Sequence, residues 1–342
     1  MKALVKIGRG ENDIEMREVP EPVCGSGQVK IRVRAVGICG TDLHGHPSLK
    51  PPVIFGHELA GDIVEVGAGV KSRKVGERVT SETTASICGK CKFCATEDYS
   101  LCIERKGIAT KAEGAFTDYL VIREPSVHPL PDHVSYKAGA ICELLACATH
   151  AVMEQGTIAP GEVVLVMGPG PLGLLCTQVV KACGGRPVVA GMGKDKSRLE
   201  LAARLGAERT VNVETENLKE VGRAMTGGYG FDVAVECAGV VPAVMAALET
   251  LRVRGRFIQA GILHKDVALN FEDVFFVREI SMIGSHTQKP SSWRKALALL
   301  ADRKVDLEAL VTKQLPLSRW QEGFDMARRG DAIKVVLTPD GM

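Results

Sequence analysis

The sequence predicts an α/β protein with two domains, the first rich in β-structure and the second built on a doubly wound parallel sheet. Its 342 residues suffice for two domains at roughly 150 residues each. The first part contains short runs that alternate polar and apolar residues, which is typical of half-buried strands. The later part alternates apolar strand-like runs with helical stretches, which is the pattern of a parallel sheet covered by helices.

The clearest strand of the β-rich domain is predicted over Gln28–Val36, where polar and apolar residues alternate with a period of two. Similar short strands are predicted at 59–66, 78–81 and 116–122. Turn residues separate these segments. We therefore assign residues 1–153 to a β-rich domain, which includes a cysteine-rich lobe at 85–105.

The second domain is predicted over residues 154–286. It opens with the continuous apolar run Val163–Met167, as expected for a parallel strand buried on both faces. Further strands are predicted at 187–190, 209–212 and 231–236, and helices at 172–182, 197–205 and 218–225. Residues 287–342, with a helix at 292–302 and a strand at 334–337, are expected to return to the first domain.

Composition excludes several classes of protein. Lys and Arg number 43 and Asp and Glu 41, so the net charge is +2, and 45% of residues are hydrophobic. A disordered chain has fewer apolar residues and a higher net charge. A general nucleic-acid binder carries a basic excess, which this sequence lacks.

Location is predicted from the apolar segments and the cysteines. The most apolar stretch, Val163–Val180, is interrupted by glycines and prolines, whereas a spanning helix needs about 20 apolar residues. Residues 1–19 lack the apolar core of a secretory signal. The eleven cysteines are expected to be reduced in the cytoplasm. The sequence therefore predicts a cytoplasmic protein without a membrane span.

A glycine-rich turn lies between the first predicted strand and helix of the second domain. Its GxGxxG pattern consists of Gly168, Gly170, Pro171, Leu172 and Gly173, with Pro169 between the first two glycines. In this strand–turn–helix context the pattern predicts a Rossmann dinucleotide site, in which a pyrophosphate lies at the helix N-terminus.

The cofactor is predicted from the residue about 20 positions further on, where an NAD site places a carboxylate on the ribose. Counting from Gly173 gives Gly193, which has no carboxylate, and Lys194 and Arg198 follow it. Cations at this place can pair with a 2′-phosphate. NADP is therefore favoured, and NAD remains possible because Asp195 can compete for the same cations.

Four cysteines predict a structural zinc site. They are spaced C-x2-C-x2-C-x7-C within one short segment: Cys88, Cys91, Cys94 and Cys102. Four thiolates leave no open coordination position, which is typical of a structural tetrahedral zinc. The segment has few cations for binding nucleic acid.

A second set of residues carries a resemblance to a known family. It comprises Cys39-Gly-Thr-Asp, the stretch Gly56-His57-Glu58-x2-Gly61-x5-Gly67-x2-Val70, and Glu143. Together with the cysteine-rich lobe and the GxGxxG turn, it resembles the zinc-containing medium-chain alcohol dehydrogenases over essentially the whole chain. This resemblance implies a GroES-like catalytic domain followed by a Rossmann domain.

The resemblance implies a role for each residue of this set. Cys39, His57 and Glu143 would hold a catalytic zinc, and Glu58 would be an outer ligand or a transient replacement for water. Thr41 would accept the alcohol proton and His44 would pass it on. A Glu at position 143 is similar to the sorbitol and polyol dehydrogenase branch, although that branch has Pro where this chain has Leu144.

The implied function is hydride transfer between NAD(P) and a secondary alcohol of a polyol or sugar alcohol, with or without a phosphate. Threonine or butanediol dehydrogenation is the alternative, and a non-catalytic relative is a hypothesis of another class. Two zinc ions per subunit are expected. The segment 279–285 is predicted to be an edge strand that pairs two subunits in a homodimer or homotetramer.

Overall fold

A computed structural model describes residues 1–44 and 48–340, which fold into two compact units. One unit consists of Met1–Glu143 and Leu307–Met342, and the other of Leu144–Asp306. The chain therefore returns to the first unit at Leu307, about twenty residues later than the boundary expected at 287. The reason is that the helix Pro290–Ala301 packs within the second unit, where Lys295 pairs with Glu154 at 2.8 Å.

The first unit is built from short, mostly antiparallel strands. Its strands are β1 Lys2–Lys6, β2 Ile14–Glu18, β3 Gln28–Gly37, β4 Val53–Ile54, β5 Glu58–Val66, β6 Arg78–Ser81, β7 Thr84–Ser86, β8 Lys106–Gly107, β9 Tyr119–Arg123, β10 Val127–Pro129, β17 Val311–Pro316 and β18 Lys334–Thr338. The largest sheet has the order β10-β6-β5-β3-β18-β17, with β9 also paired to β3. The C-terminal strand β18 thus lies directly beside β3.

An aromatic cluster fills the core of this unit. Phe55 contacts Phe116 and Phe324 with ring centroids 5.1 and 5.7 Å apart, and Trp320 contacts Phe324 at 5.6 Å. Phe116 was predicted as the start of a strand, but β9 begins only at Tyr119. The fully buried Phe116 ring instead packs into the core.

Short helices connect the strands of the first unit. They are α1 Gly40–His44, α2 Lys92–Ala95, α3 Tyr136–Ala140, α4 Cys142–Thr149, which crosses the boundary between the units, and α10 Trp320–Arg329. A π-helical turn, His150–Gln155, continues α4. Helices α3 and α4 were not predicted from the sequence.

The second unit has six parallel strands with helices between them. The strands are β11 Val163–Met167, β12 Arg186–Gly191, β13 Arg209–Asn212, β14 Phe231–Glu236, β15 Leu251–Gln259 and β16 Ser281–Gly284. The helices are α5 Pro171–Ala182, α6 Lys196–Arg204, α7 Leu218–Met225, α8 Val241–Thr250 and α9 Pro290–Ala301. The sheet order β13-β12-β11-β14-β15-β16 is the doubly wound order of dinucleotide-binding domains. This confirms the predicted fold class.

The observed elements follow the predicted ones closely in this unit. Strands β11, β13 and β14 and helix α7 have the predicted bounds, because their apolar patterns are short and clearly delimited. Helix α8 and strand β15 were not predicted. Within the described residues, the helices are too short or too polar to cross a membrane.

Candidate active site and metal centres

Three predicted ligands come together in the first unit. One ligand atom from each of Cys39, His57 and Glu58 lies within 4.8 Å of the other two. Cys39 lies between β3 and α1, and His57 directly precedes Glu58, the first residue of β5. Strands β3 and β5 are paired with Gly37 opposite Glu58, so this pairing brings the two sequence motifs together.

Asp42 connects two of these ligands. Its Oδ2 accepts a hydrogen bond from the backbone N–H of Cys39 at 2.9 Å, and its Oδ1 lies 3.6 Å from Nδ1 of His57. Burial by itself would lower the pKa of His57, but the negative charges of Asp42 and Cys39 outweigh it and raise that pKa well above its usual value. The site therefore favours a positive charge at its centre, and a carboxylate behind a ligating histidine is a common way of orienting the ring.

Glu58 and Lys334 form a buried ion pair at the same site. Nζ of Lys334 donates to Oε1 of Glu58 at 2.5 Å, and the side chains are 4% and 0% exposed. The other carboxylate oxygen, Oε2, is buried without a hydrogen-bond partner. A buried polar atom normally has a partner, so this oxygen is suited to a cation.

The residues of this cluster fit a zinc ion. A thiolate, an imidazole and a carboxylate are the donors that zinc prefers, and three protein ligands leave the open position that a catalytic zinc needs. Glu143, expected as the third ligand, is buried in the first turn of α4 but is not a member of the group of three. Thr41 and His44 lie on α1, where Thr41 is half-buried and His44 exposed.

The four cysteines of the lobe form a second group within 4.8 Å of one another: Cys88, Cys91, Cys94 and Cys102. Three of the sulfur–sulfur distances are 3.5, 3.6 and 3.9 Å. A tetrahedron of zinc–sulfur bonds of about 2.3 Å has edges of about 3.8 Å. Backbone N–H groups of Lys90 and Cys91 lower the pKa of Cys88 to about 7, which favours the ligating thiolate. This geometry fits a structural zinc.

The glycine-rich turn has the shape that a dinucleotide requires. It connects β11 to α5, with Gly170 as the residue before the helix. A Cβ at Gly173 would lie 1.9 Å from the carbonyl oxygen of Gly168, whereas a Cβ at Gly170 would meet nothing within 4 Å. Gly173 is thus needed for packing, and Gly170 leaves open space at the N-terminus of α5, where Pro171 and Leu172 begin the helix. These features fit a pyrophosphate.

The position predicted for the ribose-binding residue lies just after the second strand of the second unit. Strand β12 ends at Gly191, and Gly193 lies two residues further on, in a 3-10 turn that ends at Asp195. Both positions are glycines, so the strand end carries no carboxylate in either case. Lys194 is exposed in this turn and Arg198 lies on α6.

Three residues of these sites have contacts that no local sequence pattern predicts. Asp42 belongs to the Cys39-Gly-Thr-Asp motif, but its contact with His57 depends on the fold. Lys334 lies 276 residues from its partner Glu58. Oε2 of Glu214 accepts a hydrogen bond from the backbone N–H of Gly193 at 2.6 Å. No sequence motif marks Glu214, which follows the short strand β13.

Comparison with known protein families shows to which family the chain belongs. Residues 25–132 match the alcohol dehydrogenase GroES-like domain, and residues 171–302 match the zinc-binding dehydrogenase domain. A sorbitol dehydrogenase of Halalkalibacterium halodurans is 43% identical over 99% of both chains. The chain belongs to the zinc-binding alcohol dehydrogenase family.

Other members of this family are similar over the whole length. A D-arabitol-phosphate dehydrogenase of Enterococcus avium is 40% identical, over 98% of this chain and 97% of its own. A zinc-binding dehydrogenase of Sinorhizobium meliloti, solved with NADP bound, superposes with a TM-score of 0.89 at 28% identity and 99% coverage of both chains. The GroES-like and Rossmann folds expected from the sequence are therefore confirmed, as is an alcohol dehydrogenase type of oxidoreductase.

Proposed function

We propose that this protein is a zinc-dependent polyol dehydrogenase, which oxidises a secondary alcohol of a sugar alcohol or of its phosphate and transfers the hydride to NAD(P). The observation that carries the proposal is the group of Cys39, His57 and Glu58, whose donor atoms lie within 4.8 Å. The relatives that act on sorbitol and arabitol phosphate support a polyol substrate.

Cys39, His57 and Glu143 are proposed to hold the catalytic zinc, with Glu58 as an outer ligand. When bound, zinc supplies Lewis acidity that lowers the pKa of the substrate hydroxyl. Asp42 orients the ring of His57 through the 3.6 Å contact. Lys334 holds one oxygen of Glu58 and leaves the other available to a cation.

Proton transfer is assigned to the short helix α1. The hydroxyl of Thr41 would accept the proton of the alcohol as it gives up its own, and His44 would pass the released proton towards solvent through the nicotinamide ribose. The exposure of His44 supports the second step, because an exposed side chain is in contact with water.

A second zinc per subunit is proposed in the cysteine lobe, where it replaces a hydrophobic core. None of the eleven cysteines, each within the described part of the chain, forms a disulfide. The zinc-binding thiolates need reducing conditions to persist, so we place the enzyme in the cytoplasm.

NADP is proposed as the favoured cofactor and NAD as a second one. Support comes from the glycines at 191 and 193 and from the cations Lys194 and Arg198, which can pair with a 2′-phosphate. The NADP-bound relative is consistent with this choice.

Assembly into a homodimer or homotetramer is proposed through β16. This strand is last in the order of the six-stranded sheet, and edge strands offer backbone groups to a second chain. The preceding segment exposes Phe271, Phe276 and Val277, which are 61–82% accessible. Light scattering that shows only monomer at micromolar concentration would contradict this assembly.

The proposed function is tested with a panel of polyols and their phosphates, each with NAD and with NADP. We expect zinc-loaded enzyme to reduce the cofactor with a polyol or polyol phosphate more efficiently than with threonine, butanediol or ethanol. Efficient turnover of threonine or butanediol alone would contradict the substrate class. No turnover of any alcohol by fully zinc-loaded protein would favour a non-catalytic relative.

A further inference from the structure

A carboxylate lies on the turn that follows the second strand of the parallel sheet. Oε2 of Glu214 accepts a hydrogen bond from the backbone N–H of Gly193 at 2.6 Å. The backbone N–H of Glu214 donates to Oδ1 of Asn212 at 3.1 Å, and Asn212 is the last residue of β13. The hydrogen bond to Asn212, at the end of β13, therefore holds Glu214 against the turn that follows β12.

This turn adjoins the glycine-rich turn. A Cβ at Gly191, the last residue of β12, would lie 2.9 Å from Cγ of Pro169, and the N–H of Val213 donates to the carbonyl of Gly191 at 3.0 Å. Strand β12 lies between β11 and β13, so the carboxyl ends of all three strands meet at one edge. In doubly wound dinucleotide domains this edge receives the adenosine ribose.

We propose that Glu214 is a specificity-determining residue that limits the use of NADP relative to NAD. The inference rests on the dinucleotide binding described under the proposed function. A 2′-phosphate binds to cations and to backbone N–H groups, but Glu214 already occupies the N–H of Gly193. The carboxylate also repels a phosphate, whereas a ribose diol donates hydrogen bonds to a carboxylate.

Charges of opposite sign therefore act on a 2′-phosphate at this turn. Lys194 and Arg198 attract a 2′-phosphate, and Glu214 disfavours it. The carboxylate that is missing at the end of β12 is supplied from the loop after β13. The balance between these charges sets the ratio in which the two cofactors are used.

The variant Glu214→Gln tests this role, because the amide keeps an acceptor oxygen for the N–H of Gly193 and removes the charge. The affinity for adenosine 2′,5′-bisphosphate relative to adenosine 5′-monophosphate is measured by titration calorimetry. We expect this ratio to rise about fivefold, since an exposed charge interaction contributes up to about 1 kcal/mol. The ratio of kcat/KM for NADP to that for NAD rises with it, and added salt reduces both gains.

Glu216→Gln is the matched control. It removes the same charge from the same loop, but Glu216 accepts from the backbone N–H of Asn212 at 3.1 Å and pairs with Arg209. An unchanged ratio in Glu214→Gln, or an equal rise in both variants, overturns the role of Glu214. Wild-type protein that binds neither dinucleotide overturns the proposed function, and the inference with it.

Discussion

Lys334 and Glu58 form an ion pair across 276 residues of sequence, with Nζ 2.5 Å from Oε1 and both side chains buried. Burial by itself would lower the pKa of Lys334, but Glu58 and then Cys39 raise it. The charged ammonium group thus holds a carboxylate at the edge of the candidate zinc site. It places one oxygen of Glu58 against a cation and leaves the other without a partner.

Replacing this lysine by an apolar residue is expected to destabilise the fold. Lys334→Met leaves Glu58 buried and unpaired, and breaking a buried pair in this way costs about 3–5 kcal/mol. The free energy of unfolding of the metal-free protein, measured by urea denaturation, should fall accordingly. Lys304→Met is the control, because Lys304 is 55% exposed and lies 3.9 Å from Asp302. Equal stability of the two variants would contradict a structural role for the buried pair.

Loss of the imidazole at the candidate zinc site is expected to abolish turnover without unfolding the protein. In His57→Ala the cluster loses its only nitrogen donor, so we expect zinc content to fall from about two to about one per subunit. Circular dichroism and metal analysis check the fold and the zinc. The control His133→Ala changes an exposed histidine and should retain both zinc ions. Wild-type activity in His57→Ala would disprove the catalytic zinc.

The two candidate carboxylate ligands can be separated by mutation. If Glu143 is the third ligand and Glu58 an outer one, Glu143→Gln loses the catalytic zinc on dialysis, while Glu58→Gln retains it and loses activity. Removing a direct ligand weakens binding far more than removing an outer partner, which typically costs about 10–100-fold in affinity. The zinc retained by each variant after dialysis against a weak chelator shows which carboxylate is the direct ligand. The reverse result would assign Glu58, which the structure groups with Cys39 and His57, as the ligand.

The cysteine lobe is expected to be needed for stability rather than for chemistry. In Cys91→Ser the lobe loses one of four thiolates, and zinc content should fall to about one per subunit. The melting temperature should fall too, and activity should be lost only as the lobe unfolds. Cys24→Ser, which changes a thiol outside both metal clusters, is the control. A variant with one zinc and unchanged stability would contradict the structural role.

The cations after β12 are expected to select NADP. In Arg198→Ala a phosphate loses a charge-assisted partner, and for an exposed group we expect about a fivefold loss of NADP affinity relative to NAD. Arg204→Ala, on the solvent side of the same helix, should leave the ratio unchanged. Fluorescence titration with each of the two reduced cofactors measures the ratio of their affinities. A wild-type preference for NAD, or an unchanged ratio in Arg198→Ala, would disprove the favoured use of NADP.

The sequence by itself determined the features whose residues lie close together along the chain. The four cysteines fall within fifteen residues, and the six-residue GxGxxG turn follows directly on an apolar strand. Such spacing permits few geometries, so the cysteine cluster and the glycine-rich turn were predictable. The family motif likewise indicated Cys39 and His57 as candidate ligands.

Only the tertiary structure decided which distant residues meet. Strand β18 lies beside β3 with Val336 opposite Gly37, and Gly37 lies opposite Glu58 in β5. This pairing brings Lys334 to Glu58. A period of two shows which face of a strand is buried, but it does not specify the neighbouring strand or the register. For the same reason the place of Glu214 on the turn after β12 depends on the pairing of β12 with β13, which no local pattern encodes.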